Sequence, residues 1–274
     1  SSDGFSVREN AQAAGEINQG SMVCWQWKAN GGTTTTNDAS ATGVGTIDSV
    51  YQANTTAGFS IVTYTGTGSA GTIAHGLGKT PKMLIVKNRD SATSWNVYHA
   101  GVSSDPETDY LVLEGNDAVA DNSNRWNDTA PTSSVFTVSV APTNPSSDDM
   151  IAYCFAEIQG YSKFGSYTGN GNADGTFVYM GFKPAWIIVK ATDVDEWRIY
   201  DNKRANSFNV INVRLKAHVA NAESQDDNEC DFLSHGIKWR SSSGGVNSNG
   251  QKYIYMAFAE HPFVSSKGVP VTAR

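Results

Sequence analysis

The chain has 274 residues and a formal net charge of −7 at pH 7, because 27 Asp and Glu outnumber 20 Lys and Arg. Its hydrophobic content of 39% is enough for packed cores and excludes a wholly disordered chain. No apolar run approaches the ~18 residues of a membrane helix, so membrane insertion is not expected. Nucleic acid and anionic membrane surfaces are poor partners for an acidic chain that lacks a Lys/Arg run.

The first part of the chain predicts the end of one module and a linker. Asp3–Val7 and Met22–Trp27 are strand-like runs that resemble the hairpin at the end of each of two later modules. We therefore expect Ser1 to lie inside a third copy of the module whose front part is missing. The stretch from Asn30 to Gly58 is rich in Thr, Asn, Ser and Gly, which is typical of a linker. Residues 1–57 are assigned to this C-terminal remnant and polar linker.

Residues 58–159 predict a first β-sandwich module. The side chains of Phe59–Tyr64 alternate at period two, and Met83–Val86 is a short apolar run rich in strand-forming residues. Large and small side chains alternate again in Ala152–Ala156, as expected for a strand with one face in a core. Gly, Asn, Asp and Ser fill the gaps, which indicates turns between strands.

Residues 160–274 repeat this module in the same order and end in a short tail. The matching pairs, each 103 positions apart, are Tyr64 and Tyr167, Pro81–Lys87 and Pro184–Lys190, and Ala152–Glu157 and Tyr255–Glu260. One stretch, Asn209–Ala222, predicts a short helix. The predicted fold class is therefore all-β, with tandem antiparallel β-sandwich modules of jelly-roll-like form.

Cysteine and loop patterns predict neither a metal site nor a cofactor. Cys24, Cys154 and Cys230 are widely spaced without a CxxC pair, and the first two lie in apolar stretches where a free cysteine behaves as a small buried hydrophobe. Asn170–Gly175 resembles the start of a calcium-binding loop, but Gly181 stands at the twelfth position, where such a loop needs a glutamate.

Catalytic residues are not expected. Glu157 and Glu260 are repeat-equivalent, and a glycoside hydrolase does use two carboxylates across one bond, but equivalent residues of separate modules are not expected to share a cleft. His75 lies in a predicted loop, its counterpart in the second module is not a histidine, and no GxSxG motif accompanies it. The chain is therefore expected not to be an enzyme.

Tryptophans are the remaining candidate ligand contacts. Trp95 and Trp197 recur at matching positions, which favours a shared core role. An aromatic face flanked by Asn and Asp side chains is the usual chemistry of sugar recognition, and Trp126 stands in such a polar loop. The candidate ligand-binding residues are Arg125, Trp126, Asn127 and Asp128. The alternative is that Trp126 folds back and closes the edge of its own sandwich.

A family resemblance rests on strings along nearly the whole chain. The strings are Trp25–Gly32, Thr56–Gly66, Ala74–Gly78, Ile85–Arg89, Trp126–Ser134, Ala152–Glu157, Phe164–Gly171, Asp231–Ser234 and Gly268–Arg274. They resemble a repeated module of tail-fibre and virion-appendage proteins of marine tailed bacteriophages. Related chains usually carry the whole preceding module, and the last string resembles the natural C-terminus of such proteins.

This resemblance implies a virion structural protein, the C-terminal part of a tail fibre or appendage that attaches to the host surface. It implies a location on the virion surface, with other virion proteins and host surface glycan as partners and a homo-oligomer, a trimer, as the assembly. It carries over no catalytic residues. Two alternatives stay open: a capsid-decorating or knob-like structural protein, and a polysaccharide depolymerase.

Overall fold

The structure, a computed structural model, describes residues 22–204, 209–264 and 270–271. The elements before residue 160 are β1 (Thr35–Asn37), α1 (Ala39–Thr42), β2 (Ser49–Asn54), β3 (Phe59–Thr65), β4 (Gly71–Ala74), β5 (Pro81–Asn88), β6 (Asn96–His99), β7 (Asp109–Val112), β8 (Ala120–Asp121), β9 (Val135–Val138) and β10 (Asp149–Ala156). The later elements are β11 (Ser162–Thr168), β12 (Phe177–Tyr179), β13 (Pro184–Ala191), β14 (Arg198–Asp201), β15 (Ile211–Lys216), β16 (Ser224–Leu233), β17 (Gly236–Trp239), α2 (Gly244–Asn247), β18 (Lys252–Ala259), β19 (Phe263–Val264) and β20 (Pro270–Val271). Within the described ranges, no helix has the length and apolar character needed to span a membrane.

The described strands form antiparallel sheets, so the predicted all-β, sandwich-like fold class is confirmed. The first large sheet has the order β1-β2-β3-β10-β5-β6-β7-β8, and β4 pairs with β9 beside it. The second has the order β11-β18-β13-β14-β15-β16-β17-β12 and folds over so that its two halves face each other. We refer to β1–β10 as module 1 and to β11–β18 as module 2.

The sequence repeat is visible in the strand register. In module 1, β10 lies between β3 and β5, and Phe155 pairs with Phe59. In module 2, β18 lies between β11 and β13, and Phe258 pairs with Ser162. Both residues of the second pair are 103 positions after those of the first. A one-residue slip would move every side chain to the opposite face, so the two modules hold equivalent residues on equivalent faces.

Three apolar cores lie between four layers of strands. One fills module 1, between the first sheet and the β4–β9 pair, and another fills module 2, between the two halves of its sheet. The third, which we call the seam, lies between the outward faces of the two modules. Its buried members are Phe59, Met83, Val97, Val102, Leu111, Phe155, Phe164, Trp186, Ile188, Trp197, Ile199, Ile254, Met256 and Phe258. The central strands are therefore covered on both faces, which explains their continuous apolar runs.

Hydrogen bonds cross the seam as well. His99 of module 1 approaches the Tyr255 carbonyl oxygen of module 2, with Nε2 at 3.0 Å. The Trp197 indole donates to the Val112 carbonyl at 2.8 Å, and the Val119 amide donates to the Thr192 carbonyl at 2.8 Å. These polar contacts fix the rotational register of the modules, because each would lose its partner if the sheets slid.

Residues 22–29, which we call the strap, run extended across the mouth of the seam. Trp25 and Trp27 are half-buried while Gln26 between them is exposed. The Trp27 ring lies edge-on to Trp186, with centroids 5.3 Å apart. The strap forms no strand, so the predicted hairpin is not present at Met22–Trp27, and its other half, Asp3–Val7, falls outside the described residues. Cys24 is exposed and not buried as expected, because it alternates with the two tryptophans.

Residues 35–54, which we call the arm, correct the predicted linker. The arm contains β1, α1 and β2, and β2 pairs with β3 over five residues, from Val50–Thr63 to Asn54–Phe59. Asp38 caps α1 by accepting a hydrogen bond from the Ala41 amide. Threonine, valine and tyrosine are favoured in strands, and here they form a short edge of the first sheet.

The stretch predicted as a short helix is a strand. Ile211 and Val213 are both buried in the core of module 2, and they lie on β15 at period two. This spacing places both side chains on one face of a strand, whereas a helix would separate them by about 200°, given 3.6 residues per turn. The helix prediction for Asn209–Ala222 is therefore wrong within the described part of this stretch.

Candidate functional site

Trp126 is a core residue. Its ring is 1% exposed and belongs to the core of module 1, edge-on to Tyr98 with centroids 6.0 Å apart. Its indole N–H donates to the Asp109 carbonyl at 2.9 Å, so its single polar group is also satisfied. No face of the ring is available to a sugar. The exposed-aromatic hypothesis is contradicted, and Trp126 closes its own sandwich as the alternative proposed.

The other three residues of the predicted site surround this buried ring without forming a pocket around it. Arg125 places its guanidinium 4.1 Å from the centre of the Tyr110 ring, and its Nε donates to Asn96 Oδ1 at 2.8 Å. Asn127 and Asp128 are exposed and have positive φ angles of 53° and 45°. This backbone shape is a tight turn, for which Asn and Asp are favoured residues. Their presence is thus accounted for by the turn that buries Trp126.

The candidate catalytic carboxylates occupy separate ion pairs. Glu157 accepts from Lys163 Nζ at 2.7 Å, and Glu260 contacts Lys183 Nζ at 2.7 Å. His75 is fully buried, its Nδ1 accepts from the Leu77 amide, and burial lowers its pKa to about 4 despite a hydrogen bond to the Thr132 carbonyl. Across the described ranges, no group of three or more His, Cys, Asp or Glu side chains is placed to hold a metal ion.

The arm closes one side of module 1. Its β2 strand pairs with the outer edge of β3, and Ile47 just before it forms a parallel bridge with Ile73 of β4. The amides of Thr46 and Ile47 both donate to the Thr72 carbonyl, at 2.8 and 3.1 Å. The arm therefore spans the gap between β3 and β4 and satisfies backbone groups on both strands.

Module 2 has no such arm among the described residues, and its equivalent side is open. β11, the counterpart of β3, begins the strand order of its sheet, and β12, the counterpart of β4, ends it. Between them lies a cleft of about 420 Å³, which we call the open side. Its walls include Glu157, Gln159, Ser162, Lys163, Tyr179 and Gly181.

Large apolar side chains are exposed on β12, the strand whose Tyr179 lines this cleft. Tyr179 is 65% exposed and Phe177 is 46% exposed, and both lie on β12. The Tyr179 ring stacks on His235 with an interplanar angle of 16°. The corresponding positions of β4 are Thr72 and Ala74, and Ala74 is buried where the arm passes. Exposed aromatic residues beside an unpaired strand edge mark this side as a contact surface.

A second, apolar cavity of about 590 Å³ lies under the strap at the rim of the seam. Trp25, Trp27 and Trp95 line it, and Trp95 stacks on Tyr153 with centroids 6.3 Å apart. Its repeat partner Trp197 is 1% exposed in the seam. The expected shared core role therefore holds for Trp197, whereas Trp95 is half-buried at the cavity wall.

Comparison with known proteins gives a family for the chain. Residues 1–262 match the model of a domain of unknown function, DUF7483. The chain belongs to this family. No curated protein and no solved structure matches the chain. Since the family description names no activity, the function of this DUF7483 chain has to be argued from its own geometry.

Sequence reasoning missed the open side of this DUF7483 chain, although a signal was present. The arm precedes β3 by a turn, so the segment before β11 is its sequence counterpart. That segment is Ala152–Glu157. Its alternation of large and small side chains matches the central strand β18 and not β2. The chain before β11 is thus committed to the sheet of module 1, and the slot beside β11 is left without an occupant from this position.

Proposed function

We propose that the chain is a structural protein of a bacteriophage virion, the C-terminal part of a tail fibre or related appendage, that attaches to the host surface without covalent chemistry. The sequence resemblance supplies the class of particle. The seam is the observation that supports the proposal best: the two modules share a continuous buried core, so they act as one body and not as beads on a flexible chain.

A shared core suits an appendage for a physical reason. Contacts made by individual loops are weak, but when several are held in fixed relative positions each acts at a high effective concentration towards the same surface. The strap contributes by covering the rim of the seam with Trp25 and Trp27. The proposed partners of the chain are other virion proteins and two further copies of itself in a trimer. Its proposed receptor is a host surface glycan.

The test begins with the position of the chain in the particle. Antibodies raised against the purified chain, visualised with gold on whole virions, should label the tail or its fibres. Label on the capsid would instead support the capsid-decorating alternative, and absence of label from intact and disrupted particles would overturn the virion assignment. Light scattering of the purified chain measures the trimer directly.

Attachment and catalysis are separated by two further assays. The purified chain should bind host cells and reduce infection when added before virions, and failure in both would refute attachment. Incubation with isolated host polysaccharide should release no reducing ends. Release of reducing ends that persists in a pure preparation would support the depolymerase and refute the non-catalytic role.

A further inference from the structure

We propose that the open side of module 2 is a strand-acceptor site: it binds an extended polypeptide segment of a partner protein, paired along β11, in the way that the arm is paired along β3. The partner segment resembles residues 44–54 of this chain, with an aromatic side chain at the position of Tyr51. The inference rests on the comparison of the two modules and not on the proposed virion function.

The outer edge of β11 has the same register as the edge that binds β2. Thr63 and Ile61 of β3 pair with Val50 and Gln52 of β2. Their counterparts at an offset of 103 are Ser166 and Phe164 of β11. Both strands pair on their inner edge with the equivalent central strand in the equivalent register, so their outer edges present backbone groups at the same positions.

The backbone groups of this edge point away from β18. The Phe164 amide, which faces away from β18, donates to Glu157 Oε2 at 3.3 Å. Because backbone groups alternate in direction along a strand, the Ser166 amide points outward as well, and Ser166 is exposed. The Glu157 side chain therefore covers one position of the edge, and the part around Ser166 stays available for pairing.

The cleft is lined by a glycine equivalent to the one that receives a tyrosine in module 1. The Tyr51 ring lies directly on Gly76, where an added Cβ would come within 2.2 Å of a ring carbon. The equivalent glycine of module 2 is Gly181, because the Met180 and His75 amides that precede the two glycines donate to equivalent carbonyls, those of His235 and Ser134. Gly76 and Gly181 share a left-handed backbone, with φ of 70° and 81°. Gly181 lines the cleft, so this position of its wall carries no side chain.

Polypeptide is favoured over glycan as the occupant for two reasons. An unpaired strand edge presents alternating N–H and C=O groups at the spacing of another strand, and addition of an extended segment satisfies them in series. In addition, Tyr179 is exposed where module 1 buries its equivalent residue Ala74 beside the arm, and Phe177 on the same strand is exposed as well. A strand laid between β11 and β12 would cover these rings in the same way.

The experiment uses the full chain and a fluorescein-labelled peptide of residues 44–54, followed by fluorescence anisotropy. Saturable binding is expected. A peptide with Tyr51→Ser should bind about ten-fold more weakly, since the ring loses its contact with Gly181. In the protein, Ser166→Pro removes the outward amide and should weaken binding about ten-fold, whereas the matched Ser166→Ala keeps the amide and should bind as the wild type does.

Hydrogen exchange on the wild-type chain gives a second readout that does not depend on the folding of the proline variant. The peptide should slow exchange of the Ser166 amide and leave the amides of β14 unchanged. The proposal is overturned by absence of saturable binding to the wild type, by equal binding to folded Ser166→Pro, or by peptide binding without protection of Ser166. Self-association of the chain that Ser166→Pro abolishes would identify a second copy as the occupant and overturn the partner-protein assignment.

Discussion

Acid should weaken the seam through His99. This side chain is 2% exposed, its Nδ1 accepts from the Gly101 amide at 3.0 Å, and its Nε2–H therefore donates to the Tyr255 carbonyl of the other module. Both ring nitrogens are used by the neutral tautomer, and protonation would break the bond from Gly101. Burial is the main cause that lowers the pKa of His99 to about 4, with Lys252 acting in the same direction and the Tyr255 hydrogen bond against it.

The sign and size of the effect follow from linkage. The folded-state pKa lies below the ordinary value of 6.5, so the unfolded chain binds the proton more readily. The stabilisation is fully present above pH 6.5 and is lost as the pH falls towards 4. Lowering the pKa of His99 from 6.5 to about 4 corresponds to about 3 kcal/mol at pH 4, and to about 1 kcal/mol between pH 6 and pH 5. His75 has the same direction and the same cause.

The assay is urea unfolding at pH 7, 6 and 5 for wild type, His99→Gln and His235→Gln. His99→Gln should be less stable than wild type at pH 7, but its free energy of unfolding should fall about 1 kcal/mol less between pH 6 and pH 5, because one proton-linked group is gone. His235 is exposed, so His235→Gln is the control for replacing a histidine outside the seam. Equal slopes for wild type and His99→Gln would refute the assignment of a buried neutral imidazole to the seam.

Three further predictions concern stability. Asn247 is fully buried, and its side-chain NH2 group donates to Asn170, Asn172 and Ser241. Asn247→Ala should therefore lower the free energy of unfolding in urea by about 3 kcal/mol. A loss no larger than that of an exposed Asn→Ala change would contradict this structural role. Trp27→Ala should cost about 2 kcal/mol by loss of its packing on the seam, against a negligible change for Gln26→Ala, and equal effects would argue against the strap. Trp126→Ala should lower the free energy of unfolding by about 4 kcal/mol while the folded variant still binds host cells; selective loss of binding would restore Trp126 as a contact.

The internal repeat was the most productive sequence signal. It predicted which strands correspond, and the structure pairs β3 with β10 and β11 with β18 in registers that differ by 103 positions throughout. The same offset relates two buried asparagines that sequence reasoning overlooked. Asn144 bridges Thr67, Ser69 and Ser139 in module 1 as Asn247 bridges its own turns in module 2. The available clue was an Asn repeated at the same position of both modules. A buried carboxamide needs hydrogen-bond partners for both its oxygen and its NH2 group, which its surrounding turns supply.

The polar composition of two segments led to wrong predictions, because their structure depends on contacts with distant parts of the chain. The arm has a linker composition, but the β3 edge supplies hydrogen-bond partners that make a strand of it. Trp126 stands among Asn, Asp and Arg, but these residues form the turn that directs the ring inward. In both cases the deciding interaction joins residues far apart in the chain, and no window of neighbouring residues contains it.

The seam links these observations to the asymmetry between the modules. The runs Met83–Val86 and Tyr253–Ala259 are apolar at every position, with no polar residue between apolar ones, which indicates strands buried on both faces, and the modules satisfy this by packing on each other. That packing requires β10 to continue directly into β11 through a short turn. The turn leaves no chain between them to form a second arm, so among the residues that the structure describes the first side is closed and the second side is open. The open side is therefore a consequence of the same duplication that stabilises the seam, and a longer insertion before β11 would be expected to close it.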